Sequence, residues 1–214
     1  MAEPYLRRSA LAHHGLPARA AEEAGRRARA RLLLAERPHR CQVNLRGRAD
    51  EPGFAERVRG ALGLNLPLLP NTTTSDAGIT ALWLGPDEWL LVARPGREGE
   101  IVGKLRDALA GQFAAVTDVS EARTVIAVAG PEARTLLAKA TGIDLHPRAF
   151  RAGLCAQTGA ARANVILHQV RDDGPGDDPG GPEYDIYVAG SFADYLWRWL
   201  TEAAQDLDPV ITEG

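Results

Sequence analysis

The chain has 214 residues, 45% hydrophobic and 25% charged, with a net charge of −3 and a pI near 6.0. This is the composition of a globular protein long enough to bury a substantial core, and its acidic balance argues against nucleic acid as the main partner. No apolar run nears the ~18–20 residues of a membrane span, and the amino-terminal stretch lacks a signal-peptide core. A cytoplasmic protein without a membrane partner is expected.

Residues 1–39 read as an extended arm. Pro4, Pro17 and Pro38 punctuate an Ala/Arg-rich stretch in which residues 17–31 predict a short basic helix. It carries few large apolar residues, so it is expected to stay solvated or lie on a partner. Its cluster of Arg26, Arg27, Arg29 and Arg31 invites a nucleic-acid reading, but no aromatic residues interleave it. A compact domain over residues 40–205 follows. Residues 41–46 alternate as a strand, Phe54, Val58, Ala61 and Leu62 mark a helix face, and Gly63 is its natural stop. Residues 71–78 read as a polar loop. Strands are expected over 79–84 and 89–93 around a Gly85-Pro86-Asp87-Glu88 turn, then a helix on Ile101, Leu105 and Leu109.

The central stretch runs from an apolar approach to Asp118, through a polar turn, into a β-branched strand over 124–129. Gly130-Pro131 then starts a helix whose Ala133, Leu136, Leu137 and Ala140 share one face. Strands over 163–170 and 184–189 flank a Gly/Pro/Asp-rich segment, 171–183, that reads as a mobile loop. Phe192, Tyr195, Leu196 and Trp199 form the stripe of a closing helix. The second half thus repeats the first. The expected fold class is α+β, with two pseudo-symmetric β-α-β-β-α halves (about 40–115 and 116–205), antiparallel sheets with helices on one face, and a tail at 206–214.

Visible chemistry is sparse. His13, His14, His39, His146 and His168 show no metal-ligand spacing. Cys41 and Cys155 read as buried free thiols, and Gly130-Pro131 lacks the glycines of a phosphate loop. Asp118 and Arg123 are expected to pin a corner as a buried pair, or to bridge a subunit contact. Trp83 and Trp89 fill a hairpin core or stack on a planar ligand. Trp197 lies off the aromatic stripe of its helix, as an interface residue would, or one covered by a second layer of the same domain. No catalytic, cofactor-binding or metal residue is assigned.

A set of motifs carries a resemblance: Trp83-Leu84-Gly85-Pro86-Asp87-Glu88-Trp89-Leu90, Asp118-Val119-Ser120-Glu121-Ala122-Arg123-Thr124, Gly130-Pro131-Glu132-Ala133-Arg134, Cys155-Ala156-Gln157-Thr158 and Ser191-Phe192-Ala193-Asp194-Tyr195-Leu196-Trp197. In order from about Arg37 to Ala203, the chain resembles the gamma subunit of heterotetrameric sarcosine oxidase. The resemblance implies a non-catalytic subunit of an oxidoreductase complex that demethylates sarcosine to glycine, releasing hydrogen peroxide and forming methylenetetrahydrofolate. It implies alpha, beta and delta partner subunits that carry FAD, FMN, NAD, tetrahydrofolate and zinc, with no cofactor on this chain. It further implies a fold like the folate-binding domain of aminomethyltransferases. Where those enzymes carry an Asn-Asp pair this sequence has Ile143-Asp144, and their glycine-rich acidic hairpin is replaced by Gly159-Ala160-Ala161-Arg162-Ala163-Asn164. A vestigial site in which Asp144 caps a turn is expected. The alternative is a stand-alone tetrahydrofolate-binding or aminomethyltransferase-like protein.

Overall fold

The structure, a computed structural model, describes residues 7–172 and 180–214. In chain order the described elements begin with α1 (Leu16–Glu23), β1 (Leu33–Arg37), β2 (Cys41–Gly47), α2 (Phe54–Leu62), β3 (Thr73–Asp76), β4 (Ile79–Gly85) and β5 (Glu88–Ala93). Next come α3 (Glu98–Ala108), β6 (Ala114–Asp118), β7 (Arg123–Ala129), α4 (Ala133–Ala140) and β8 (Cys155–Ala160). The chain closes with β9 (Ala163–Arg171), β10 (Glu183–Ala189), α5 (Gly190–Ala203) and β11 (Val210–Ile211). This is a mixed α+β fold whose two sheets are predominantly antiparallel. It divides into two compact units, one of His39–Ala122 with Gly153–Gln157, the other of the residues up to Pro38, Arg123–Ala152 and Thr158–Gly214.

The first unit holds a five-stranded sheet in the order β3-β4-β5-β2-β6. Inward-facing Val43, Leu45, Trp89 and Leu91 pack with Phe54, Val58 and Leu62 of α2 and Ile101 and Leu105 of α3. Fully burying each such side chain contributes about 1.5–3 kcal/mol. Trp83 and Trp89 face each other across the β4–β5 hairpin. Trp89 donates its indole N–H to the Pro67 carbonyl at 2.8 Å and is buried in the core, while Trp83 is partly buried and packs against it. The expected polar loop at 71–78 contains β3, in register with β4 from Thr73↔Leu82 to Asp76↔Ile79. A short, polar edge strand has no apolar alternation to reveal it.

The second unit holds a six-stranded sheet, β11-β1-β7-β10-β9-β8. Here the observed chain differs from the expected arm and tail. β1 pairs along its whole length with β7, and β11, within the expected tail, adds parallel to β1. Residues 11–23 dock on the same unit: Leu11, Leu16 and Ala20 are buried, and the Ile211 N–H donates to Glu23 Oε2 at 2.9 Å. Arg26 pairs with Asp208, and Arg31 with Glu132 at 2.6 Å. Three buried apolar residues and several charge-assisted contacts are enough to hold a segment that composition alone presents as loose. Most of the glycine-rich segment expected as a mobile loop lies at 173–179, outside the described residues.

Gly130 is required at the β7–α4 turn. Its φ is +110°, and a Cβ there would lie 2.5 Å from the Arg31 carbonyl oxygen, which accepts the Glu132 N–H at 3.0 Å. The buried face of α5 is Ala193, Leu196, Trp197 and Leu200, at i, i+3, i+4 and i+7. Phe192 and Tyr195 are exposed, so the expected aromatic stripe is out of phase and the off-stripe Trp197 is core. The large aromatics misled the reading: a helix can bury Ala193 closely against its neighbours and leave bulkier rings outside.

Candidate functional site

One face of the six-stranded sheet brings buried Asp185 and His168 together with partly buried Arg37 and Glu183. Ala35, Ala127, Asp185 and His168 lie in one row across β1, β7, β10 and β9, and Leu33, Ala129 and Glu183 lie in a neighbouring row. Side chains alternate along each strand, so these rows share a face with Arg37, Val125 and Tyr187. The small side chains of Ala35, Ala127 and Ala129 floor a recess of roughly 350 Å³, rimmed by Arg27, Arg37, Arg171, Glu183 and Glu213.

Arg37 is the hub, forking to Glu183 and Asp185. Burial alone would lower its pKa, but the carboxylates of Asp185 and Glu183 hold it above its ordinary value. Burial pushes the His168 pKa down to about 4, helped by the Arg37 charge and opposed by Glu183. His168 is therefore neutral at pH 7, and its Nδ1 is buried without a hydrogen-bond partner among the described residues. The positive and negative side chains offset one another, so the arrangement clamps strands together and presents a balanced polar recess. Behind the sheet, buried Glu36 accepts from Thr124 Oγ1 at 2.7 Å and from Ser9 Oγ.

The residues singled out from sequence separate into distinct places. Both cysteines are free and buried. Desolvation raises Cys41 to about 12 and Cys155 to about 11, and Cys155 Sγ points at the Thr72 and Trp83 carbonyls. Such thiols are poor nucleophiles. Asp144 is exposed and accepts the His146 N–H at 2.9 Å, an Asx turn. Asp118 is exposed too, so a buried ion pair does not pin its corner. It accepts from the Ser120 N–H and hydroxyl at 3.0 and 2.6 Å, and Ser120 Oγ accepts the Gln42 N–H.

One convergence was missed. His13 Nε2, His14 Nε2 and an Asp194 oxygen all lie within 4.8 Å of one another. The histidines are adjacent in sequence, but Asp194 is 180 residues distant from His14, and no local spacing could announce it.

The fold defines the class first. The structure superposes on the glycine cleavage system aminomethyltransferase T from Bartonella henselae with a TM-score of 0.62 at 16% identity, covering 90% of this chain and 50% of that one. This is an aminomethyltransferase-like α+β fold. Residues 46–206 match the sarcosine oxidase, gamma subunit family, and the chain belongs to that family. It is 33% identical to the sarcosine oxidase subunit gamma of Corynebacterium sp. (strain U-96), over 94% of this chain and 91% of the relative. A chain of the heterotetrameric sarcosine oxidase from Corynebacterium sp. U-96, solved with pyrrole 2-carboxylate, matches with a TM-score of 0.79 at 30% identity, covering 94% and 96% of the two chains.

Proposed function

We propose that this chain is the gamma subunit of a heterotetrameric sarcosine oxidase and supports assembly and stability of the complex without itself carrying the chemistry. The observation that carries the reading is the end-to-end similarity, 94% of this chain and 96% of its counterpart, to a chain of a heterotetrameric sarcosine oxidase. In this reading alpha, beta and delta subunits carry FAD, FMN, NAD, tetrahydrofolate and zinc, and the whole complex converts sarcosine to glycine with hydrogen peroxide and methylenetetrahydrofolate as further products. The exposed Asp144, engaged in its own turn, and the two buried, high-pKa thiols support a subunit that scaffolds. Exposed apolar side chains support docking on partners: Leu69 is 71% and Phe113 88% exposed in the five-stranded unit, and Phe192 47% in the six-stranded one. Side chains of this kind gain most when a partner removes them from water.

The same reading treats residues of about 40–115 and 116–205 as two internal repeats, preceded by residues 1–39 and followed by 206–214. In support, β2-α2-β3-β4-β5-α3 and β7-α4-β8-β9-β10-α5 have the same element order. The sheet orders β3-β4-β5-β2 and β8-β9-β10-β7 correspond strand for strand.

The test is an affinity pull-down of this chain from its native lysate, with an absorbance spectrum and a peroxide assay on the eluate. A yellow complex with larger subunits that makes peroxide from sarcosine is expected. A colourless chain eluting alone, with the oxidase activity left in the flow-through, overturns the proposal.

A further inference from the structure

We propose that His13, His14 and Asp194 form a binding site for one divalent transition-metal ion of the zinc type, a role outside the scaffolding function. Both imidazole Nε2 atoms lie 2.7 Å from Asp194 Oδ1. Ligands held about 2.0–2.2 Å from a shared ion stand ~3 Å apart, and the three donor atoms here all lie within 4.8 Å of one another, so side-chain adjustment brings them to one ion. Two imidazoles and one carboxylate suit zinc, cobalt or nickel, and disfavour magnesium and calcium, which prefer all-oxygen sets.

The chain builds this convergence deliberately. Consecutive side chains ordinarily diverge, but the 3₁₀ turn Ala12–His14, closed by Gly15 at φ 61°, brings the two rings to 4.3 Å between centroids. Leu11 beneath the turn is fully buried, and the His14 ring lies 6.2 Å from that of buried Trp197. Asp194 projects from the same helix, α5, which is long enough to be a rigid platform. Arg198, one turn further on, donates its Nε to both Asp194 oxygens at 3.0 Å.

In the metal-free form one oxygen, Oδ1, receives both imidazole N–H groups and Arg198. An ion resolves that crowding. Each imidazole moves its proton to Nδ1 and turns the Nε2 lone pair inward, and Arg198 keeps Oδ2 as an outer-shell anchor that fixes the carboxylate. The His14 side chain is mostly covered and that of His13 half exposed, 16% and 52%, which leaves the outer side of the ion to water.

The test is a titration of untagged, chelator-treated full chain with cobalt(II), followed by its visible absorption, then competition with zinc. Saturable one-to-one binding is expected. Removal of outer-shell groups costs ~10–100-fold in metal affinity, so loss of a ligand should cost about 100-fold or more. His13→Gln and Asp194→Asn should both show that loss, and His146→Gln, an exposed histidine elsewhere, should bind as the native chain does. His13→Gln alters a half-exposed side chain and carries the test even if Asp194→Asn fails to fold. Absence of saturable one-to-one binding, or undiminished binding by His13→Gln, overturns the proposal.

Discussion

Replacing His168 by Phe should make the stability of this protein less sensitive to acid. The imidazole is 6% exposed, and burial holds its pKa at about 4, whereas in the unfolded chain it titrates near ~6.5. Between those values the unfolded state binds a proton that the native state refuses, so native stability falls as pH drops. The contribution is fully present above about pH 6.5 and is exhausted by about pH 4. The full window is worth roughly 3 kcal/mol at about 1.4 kcal/mol per pH unit, and the part between pH 7.5 and 5 roughly 2 kcal/mol. Phe fills a similar space, carries no titrating group and removes a buried Nδ1 that has no partner among the described residues. Urea unfolding of both proteins at pH 7.5 and pH 5 gives the two losses. Carboxylates common to both cancel in the difference, so the native chain should lose about 2 kcal/mol more than His168→Phe. Equal losses would mean that His168 is charged or solvated in the native state, and the argument from burial would fail.

Trp197→Ala should destabilise the chain by about 3–5 kcal/mol because the whole indole is buried. Phe192→Ala should change its stability by no more than about 0.5 kcal/mol, measured in the same denaturation assay, and should weaken co-purification with partner subunits. Gly130→Ala should cost about 1–3 kcal/mol, from its φ of +110° and the 2.5 Å approach to the Arg31 oxygen; an unchanged melting midpoint would contradict the turn geometry. Thiol titration of the native protein with a chromogenic disulfide should leave Cys41 and Cys155 unmodified until denaturant is added, and rapid reaction of either would contradict their burial.

Local patterns were legible where one apolar face decides the structure. Val58 and Leu62, Leu136 and Leu137, and the β4–β5 hairpin with its tryptophans all fell where periodicity and turn chemistry placed them. Elements stabilised from a distance were not legible. β3 is a polar edge whose partner is β4. β11 has two residues and exists because β1 offers it backbone groups. The phase of α5 was misread because side-chain size was taken as the guide to burial, and packing chose the face holding Ala193 and Trp197.

For the candidate sites the division has the same origin. The sequence by itself determined the α+β class, the buried thiols, the turn-capping role open to Asp144 and, through its motifs, the family, because each rests on residues close together in the chain. Only the tertiary structure decided that Arg37 meets Glu183 and Asp185 across the sheet, that His168 is stripped of water, and that two amino-terminal histidines meet Asp194. Such contacts depend on strand order and helix placement, which arise from summing weak packing energies over a whole unit. A pairing across 180 residues leaves no periodic trace in the residues between.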